Sequence, residues 1–349
     1  MLRYKPWSED VLQVCLRDHD AGTLPTLDLD LTAKCSRARC IYCDSIPKVA
    51  EAVELELPMV RTLDMLRQAH AIGLRWVYCC GLGEPLEDQR FRQIIEVCSQ
   101  AGTQVSLFTN ALEIDESIAT WLYKNGVNLI VKLDSLNEEH FDRILGRRGA
   151  AREAYRAIEC LLSAGYGRNC GDGLTDLAFS IVPTSITLHD IAEVIGYAVQ
   201  VHAFPSVGEL EQAGRVIEKH DYSTLALSQE DIDDLRNEIE SLLWKGYTRP
   251  ICPSIVTGLH VDNQGNCIVD RPTGLNCKWF MLREPDTHIL GNVGEVSLKE
   301  LLQLVCAYRR ECFRKNEFYI ADCEKTHYVF GGCGGSPREI IKIARSHLK

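Results

Sequence analysis

The sequence predicts an α/β fold: a parallel sheet, open or curled into a partial barrel, followed by a small cysteine-rich appendage. Short β-rich runs alternate with amphipathic helical patterns from residue 27 to about residue 204. Gly73, Gly102, Gly126 and Gly165 each stand just past a helical pattern, where helix C-caps belong. From Cys252 to Cys333 the chain is turn-rich, with seven cysteines and only short strands. Alternation on this scale amounts to about six βα units, and strands joined through helices lie parallel. Functional groups then gather at the carboxyl edge of the sheet.

Residues 1–24 form an N-terminal extension, 25–227 the sheet domain, and 228–349 a linker helix, an appended domain and a final helix. The run "TLDLDLT" alternates with the strand period and opens the sheet. After it comes "KCSRARCIYCDS", Lys34 to Ser45, which crowds Cys35, Cys40 and Cys43 where a strand should turn into a loop. The helix "MVRTLDMLRQAHAIG" follows, then "RWVYCCG", "FRQIIEVCSQAG", "QVSLFTN", "SIATWLYKNG", "NLIVKLDS" and one long helical stretch ending at "AIECLLSAGYG". "DLAFSIVPT" and "LHDIAEVIGYAVQVHA" close the alternation. Ser228 with Asp231 three residues on predicts a capped helix over "SQEDIDDLRNEIESLLWKG". "GLHVDN" and "NCIVD" are the strands expected of the appendage, and "PREIIKIARSHLK" is a terminal helix.

With 349 residues and 46% hydrophobic composition, the chain has enough core for two domains. A net charge of -11 argues against a nucleic-acid partner. No run of about 18 apolar residues and no basic start with an apolar core appear, so neither a membrane span nor a signal peptide is expected. A cytoplasmic location follows. Sixteen cysteines in such a chain point to metal or catalysis rather than a disulfide frame. Cys15, Cys98, Cys160 and Cys306, lying in apolar helical patterns, read as packing residues.

Three thiols on one loop can face a common point and leave a zinc, or one iron of a [4Fe–4S] cluster, with an open position. Here the sequence resembles the radical SAM superfamily, whose members carry a three-cysteine loop after the first strand of a partial (β/α)6 barrel. The family spacing is C-x3-C-x2-C; this chain has C-x4-C-x2-C, with an aromatic residue, Tyr42, before the last cysteine as the family has it. "GLGEP" resembles the family's GGE element, which implies Gly81, Gly83, Glu84 and Pro85 against the methionine part of S-adenosylmethionine. "LFTNA", with Asn110, resembles the family's TNG segment, and "VKLDSLNEEHFDRILG" the ribose-contacting strand end, with Lys132 and Asp134 as polar candidates. Ser180 occupies a further strand where the family contacts the cofactor.

The resemblance spans roughly residues 25–205 and continues as a likeness of the cysteine-rich region to the SPASM or twitch extension, a small α+β cluster-binding domain. One auxiliary [4Fe–4S] cluster is implied, with four ligands among Cys252, Cys267, Cys277, Cys323 and Cys333, and Asp270 as an outside candidate. Zinc in place of iron, or unrelated buried thiols, is the alternative.

The resemblance implies reductive cleavage of S-adenosylmethionine to a 5'-deoxyadenosyl radical and abstraction of a hydrogen atom from substrate. The outcome is oxidation, epimerisation or elimination. The expected substrate is a small polar metabolite, a sugar or aminocyclitol of the kind met in antibiotic biosynthesis, because only some 25 residues precede the first strand. A ribosomal peptide, and a non-catalytic zinc or iron–sulfur binding module, are the competing readings. A flavodoxin or ferredoxin would be the reductant. Cys79 and Cys80 face opposite sides of their strand and read as packing, with Cys80 a candidate hydrogen-atom donor. Glu209, Glu211 and Arg215, after the sixth strand, are candidates for substrate contact.

Overall fold

A computed structural model describes residues 2–43, 56–80, 82–168, 170–171, 173–208, 210, 214–216, 222–243, 251–270, 287–315 and 337–347. Six strands alternate with helices: β1 (Thr26–Leu29), β2 (Trp76–Cys79), β3 (Gln104–Thr109), β4 (Val127–Lys132), β5 (Leu177–Ile181) and β6 (Phe204–Val207). Each pairs in parallel with the next. On the other edge of β1 lies β7 (Gly258–Val261), also parallel, followed by the antiparallel strands β8 (Asn266–Asp270) and β9 (Thr287–Asn292). The outermost strands of this sheet, β9 and β6, are not bonded to each other, so the barrel is open.

The helices are α1 (Glu9–Asp20), α2 (Met59–Ala71), α3 (Phe91–Gln100), α4 (Glu116–Lys124), α5 (Glu138–Leu145), α6 (Ala150–Ala164), α7 (Ile191–Gln200), α8 (Gln229–Leu242), α9 (Leu298–Lys315) and α10 (Pro337–His347). The two faces of the sheet differ in chemistry. One row in register runs Cys79–Leu107–Leu129–Leu177, and this face takes the helices, as Phe179 stacked on Tyr197 of α7 shows. On the opposite face the rows run Asp28–Tyr78–Ser106–Asn128 and, nearer the carboxyl edge, Lys132–Ser180–Ser206. The N-terminal extension closes that polar face from below: the Tyr78 hydroxyl donates to the Pro6 carbonyl at 3.0 Å, and Trp7 lies 6.3 Å from Phe108.

Gly73, Gly102, Gly126 and Gly165 all adopt positive φ at helix ends, and Ser228 and Asp231 form the capping box the sequence predicts. The long helical stretch expected before Gly165 is instead two helices, α5 and α6. Gly146 and Gly149, at φ +65° and +81°, turn the chain left-handed between them. Cys15 and Cys98 are fully buried, whereas Cys160 and Cys306 are half-buried.

Candidate active site

The chain leaving β1 enters the three-cysteine loop, and three neighbours hold that loop in place. At α5 the Arg39 and Ile41 amides donate to the carbonyls of Leu145 (2.8 Å) and Ile144 (3.0 Å), satisfying helix-end acceptors that would otherwise need water. Beyond β2 the Glu84 amide donates to the Lys34 carbonyl at 2.7 Å. Gly83 is required there, since a Cβ at that position would lie 2.2 Å from the Lys34 oxygen. The third hold is Glu87, whose carboxylate accepts from the Ser36 amide (2.8 Å) and hydroxyl (2.7 Å). Nothing in the sequence marks Glu87; its role follows from the turn begun by buried Pro85.

Glu84 sits at the centre of the strand ends, 3% exposed. Its carboxylate accepts from the Thr109 hydroxyl (2.7 Å) and the Asn110 amide (2.8 Å), so it welds the end of β2 to that of β3. Burial raises its pKa to about 7, opposed by the bonds from Asn110, Thr109 and Leu86. The Asn110 side-chain amide lies 3.8 Å from the Cys35 sulfur, in donating position. Where the family writes the glycine of TNG this chain has Ala111, held at φ +65°.

Tyr42 is clamped from the opposite strands. Its hydroxyl donates to Asp134 at 2.6 Å and accepts from the Lys132 ammonium, which is also 2.6 Å from Asp134. The second Asp134 oxygen accepts from the Val182 amide at 2.8 Å, tying β4 to β5. Asp134 is fully buried and is therefore not a solvated helix-entry residue. Arg215 donates its backbone amide to the Cys43 carbonyl at 2.8 Å, and its guanidinium Nε is buried with no hydrogen-bond partner among the described residues. Ser180 shares a register row with Lys132 and Ser206, the last a buried hydroxyl with no partner among the described residues, which the sequence reading missed.

Cys35, Cys40 and Cys43 are half-buried and form no disulfide among the described residues. Burial pushes the Cys35 thiol up to about 12, helped by the carboxylate of Glu84 and by Cys40. Burial raises Cys40 too, against the opposing charges of Lys132 and Arg215. Thiols this reluctant to ionise become thiolates when a metal takes the proton's place. Among the described residues no three His, Cys, Asp or Glu side chains converge on a point for a single ion. Three cysteines from one loop, with an amide donor at one sulfur, fit the donor set of an iron–sulfur cluster.

Cys80 is half-buried at the end of β2, and Cys79 is buried on the helix side. Of the auxiliary-cluster candidates, Cys252 lies 3.3 Å from Ser254, which donates to Asp28, while buried Cys267 on β8 has the Arg309 guanidinium as its main charged neighbour. The Asp270 backbone belongs to β8. Gly81, Glu209, Glu211, Cys277, Cys323 and Cys333 lie outside the described residues.

An open parallel half-barrel with a three-thiol loop after its first strand defines a class. Residues 29–179 match the radical SAM superfamily, so the chain carries a radical SAM domain, a type that binds a [4Fe–4S] cluster and S-adenosylmethionine. Among curated relatives, the chain is similar to a probable GTP 3',8-cyclase of Methanococcus vannielii, 24% identical over 249 residues, covering 71% of this chain and 78% of that one. It is also similar to the sporulation killing factor maturation protein SkfB of Bacillus subtilis, 25% identical over 164 residues, 45% of this chain and 38% of the relative. Among solved structures, SuiB of Streptococcus suis bound to S-adenosylmethionine superimposes with a TM-score of 0.62 at 15% identity, covering 89% of this chain and 76% of that one. That likeness concerns the fold. No helix among the described residues is long and apolar enough to cross a membrane.

Proposed function

We propose that the protein reductively cleaves S-adenosylmethionine and abstracts a hydrogen atom from a small polar substrate, ending in oxidation, epimerisation or elimination. The observation that carries this is the lacing of the Cys35–Cys43 loop to Glu84, Asn110 and the Tyr42–Lys132–Asp134 clamp. Cys35, Cys40 and Cys43 would hold a [4Fe–4S] cluster, which would supply the electron for reductive cleavage of the sulfonium.

The chain's own residues then bind and orient. Glu84 has acceptor capacity left beside its bonds to β3 and receives the amino group of the cofactor's methionine part. Gly83, packed on the Lys34 carbonyl, holds the Glu84 turn against the cysteine loop. Asn110, Lys132 and Ser180, with Ser206, line the ribose side, and the Tyr42 clamp fixes the loop against the strand ends. Such residues would orient one substrate C–H bond for abstraction and keep water out.

The likeness to the Methanococcus protein, a probable GTP 3',8-cyclase, supports the small-substrate reading. The likeness to SkfB supports a peptide substrate as the second reading. One auxiliary cluster, with ligands among Cys252, Cys267, Cys277, Cys323 and Cys333, belongs to the same proposal.

Anaerobic reconstitution tests it. Roughly eight irons per chain and formation of 5'-deoxyadenosine are expected, with about half the iron and all cleavage lost when Cys35, Cys40 and Cys43 become alanine together. Full iron and cleavage in that triple variant, or zinc in place of iron, overturns the reading. Deuterium transfer into 5'-deoxyadenosine from labelled small metabolites, against labelled peptides, separates the two substrate classes.

A further inference from the structure

The chain is acidic overall, at -11, yet one face next to the cysteine loop gathers a surplus of cations. Residues 34–39 and 143–156 carry eight cations, Lys34, Arg37, Arg39, Arg143, Arg147, Arg148, Arg152 and Arg156, against the single acid Glu153. The two segments form one continuous surface. Arg147 Nε donates to the Arg37 carbonyl at 2.7 Å, the Arg39 amide to Leu145 at 2.8 Å, and a Cβ at Gly146 would lie 2.4 Å from the Arg39 oxygen. Between α5 and α6 the surface forms an open cleft of about 610 Å³ lined by Arg143, Arg147, Arg148 and Arg152 together with Glu138, Glu139 and Asp142.

Internal pairing neutralises only part of this charge. Glu153 holds Arg147 and Arg37, at 2.7 and 2.6 Å, Glu113 also meets Arg37 at 3.3 Å, Glu87 lies 3.8 Å from Lys34, and Arg152 lies 2.8 Å from Glu138. Asp142 accepts from the amides of Gly149 (2.6 Å) and Ala151 (2.8 Å). That leaves Glu139 as the acid of the cleft without such a commitment. Arg39, Arg143 and Arg148 are exposed and have no carboxylate partner among the described residues.

We infer that this face docks a small acidic protein that carries single electrons, and that Arg143 and Arg148 steer it onto the outer side of the Cys35–Cys40 segment. The inference rests on the proposed radical SAM reading and adds where and by what chemistry the reductant binds. An acidic carrier is repelled by most of a chain of this net charge and drawn to a local basic patch, which raises its encounter rate in a salt-dependent way. On docking, one electron leaves the carrier and one enters the cluster; no bond forms or breaks and no proton moves in that step.

The test compares the reconstituted holoenzyme with the variant Arg143→Glu/Arg148→Glu, using two donors of opposite charge. With reduced flavodoxin, the second-order rate of cluster bleaching at low salt should fall at least about tenfold, and its dependence on ionic strength should flatten. With reduced methyl viologen, a cation, the rate should stay unchanged or rise. The Kd for oxidised flavodoxin, measured calorimetrically, should weaken by a similar factor. A flavodoxin rate within twofold of wild type, or an equal fall with both donors, overturns the inference. Loss of binding to a short single-stranded oligonucleotide with flavodoxin binding intact also overturns it, marking the face as a phosphate-backbone site. Wild-type protein that takes up no iron would remove the underlying reading instead, an outcome distinct from all of these.

Discussion

Glu84 is the residue on which the strand ends converge, and its burial makes it a titrating element of stability. Its folded pKa of about 7 lies above the ordinary value of 4.5, so the folded chain holds this proton more tightly than the unfolded chain does. The resulting stabilisation is complete below the unfolded value and is lost as pH rises toward the folded one, a change of about 3 kcal/mol. In the iron-free protein, urea unfolding at pH 5 and pH 8 should therefore show wild type losing about that much relative to Glu84→Gln. A difference between the two that does not vary with pH counts against this. Glu84 was legible because GLGEP stands at a strand end. Its partners Thr109 and Asn110, 25 and 26 residues further on, were legible only in part, since a resemblance names Asn110 but not the backbone bond it makes.

At the scale of elements, the α5–α6 corner supports the cysteine loop. Gly102 and Gly146 both have positive φ, but a Cβ on Gly102 meets nothing within 4 Å, whereas one on Gly146 meets the Arg39 carbonyl at 2.4 Å. Gly102→Ala should cost about 1 kcal/mol, the conformational penalty alone. Gly146→Ala should cost more and also lower the iron bound per chain, because the loop must move. Chemical denaturation and iron analysis of both variants check this, and equal iron content would show that the corner does not position the loop. The break between α5 and α6 escaped the sequence reading because the apolar helical period resumes on both sides of "GRRG".

Across the whole molecule, the C-terminal region is joined to the barrel through β7. The Arg309 guanidinium, 0% exposed, donates to the carbonyls of Val256 (2.7 Å) and Gly258 (2.8 Å). His260 on β7 pairs with Asp30 beyond β1 at 3.0 Å, both 2% exposed, and Thr26 meets Thr257 at 3.1 Å. Removing a buried cation and leaving two acceptors without a donor is costly, so Arg309→Met should lose about 3–5 kcal/mol. Unfolding followed by circular dichroism and by tryptophan fluorescence should remain a single transition. Two separated transitions would show that β7 is not part of the cooperative unit.

By itself the sequence determined what depends on neighbours along the chain: the βα alternation, the glycine caps, the Ser228 capping box and the placing of three thiols directly after the first strand. Tertiary structure decided what depends on distant segments meeting. It inserted β7 beside β1, brought Glu87 onto the Ser36 amide, closed Tyr42 against Lys132 and Asp134, and put the arginines of α5 and α6 at the loop's outer face. The reason is physical. Local periodicity and capping are written within a turn or two of chain, whereas a hydrogen bond across 90 residues becomes visible only once burial has selected one register among many.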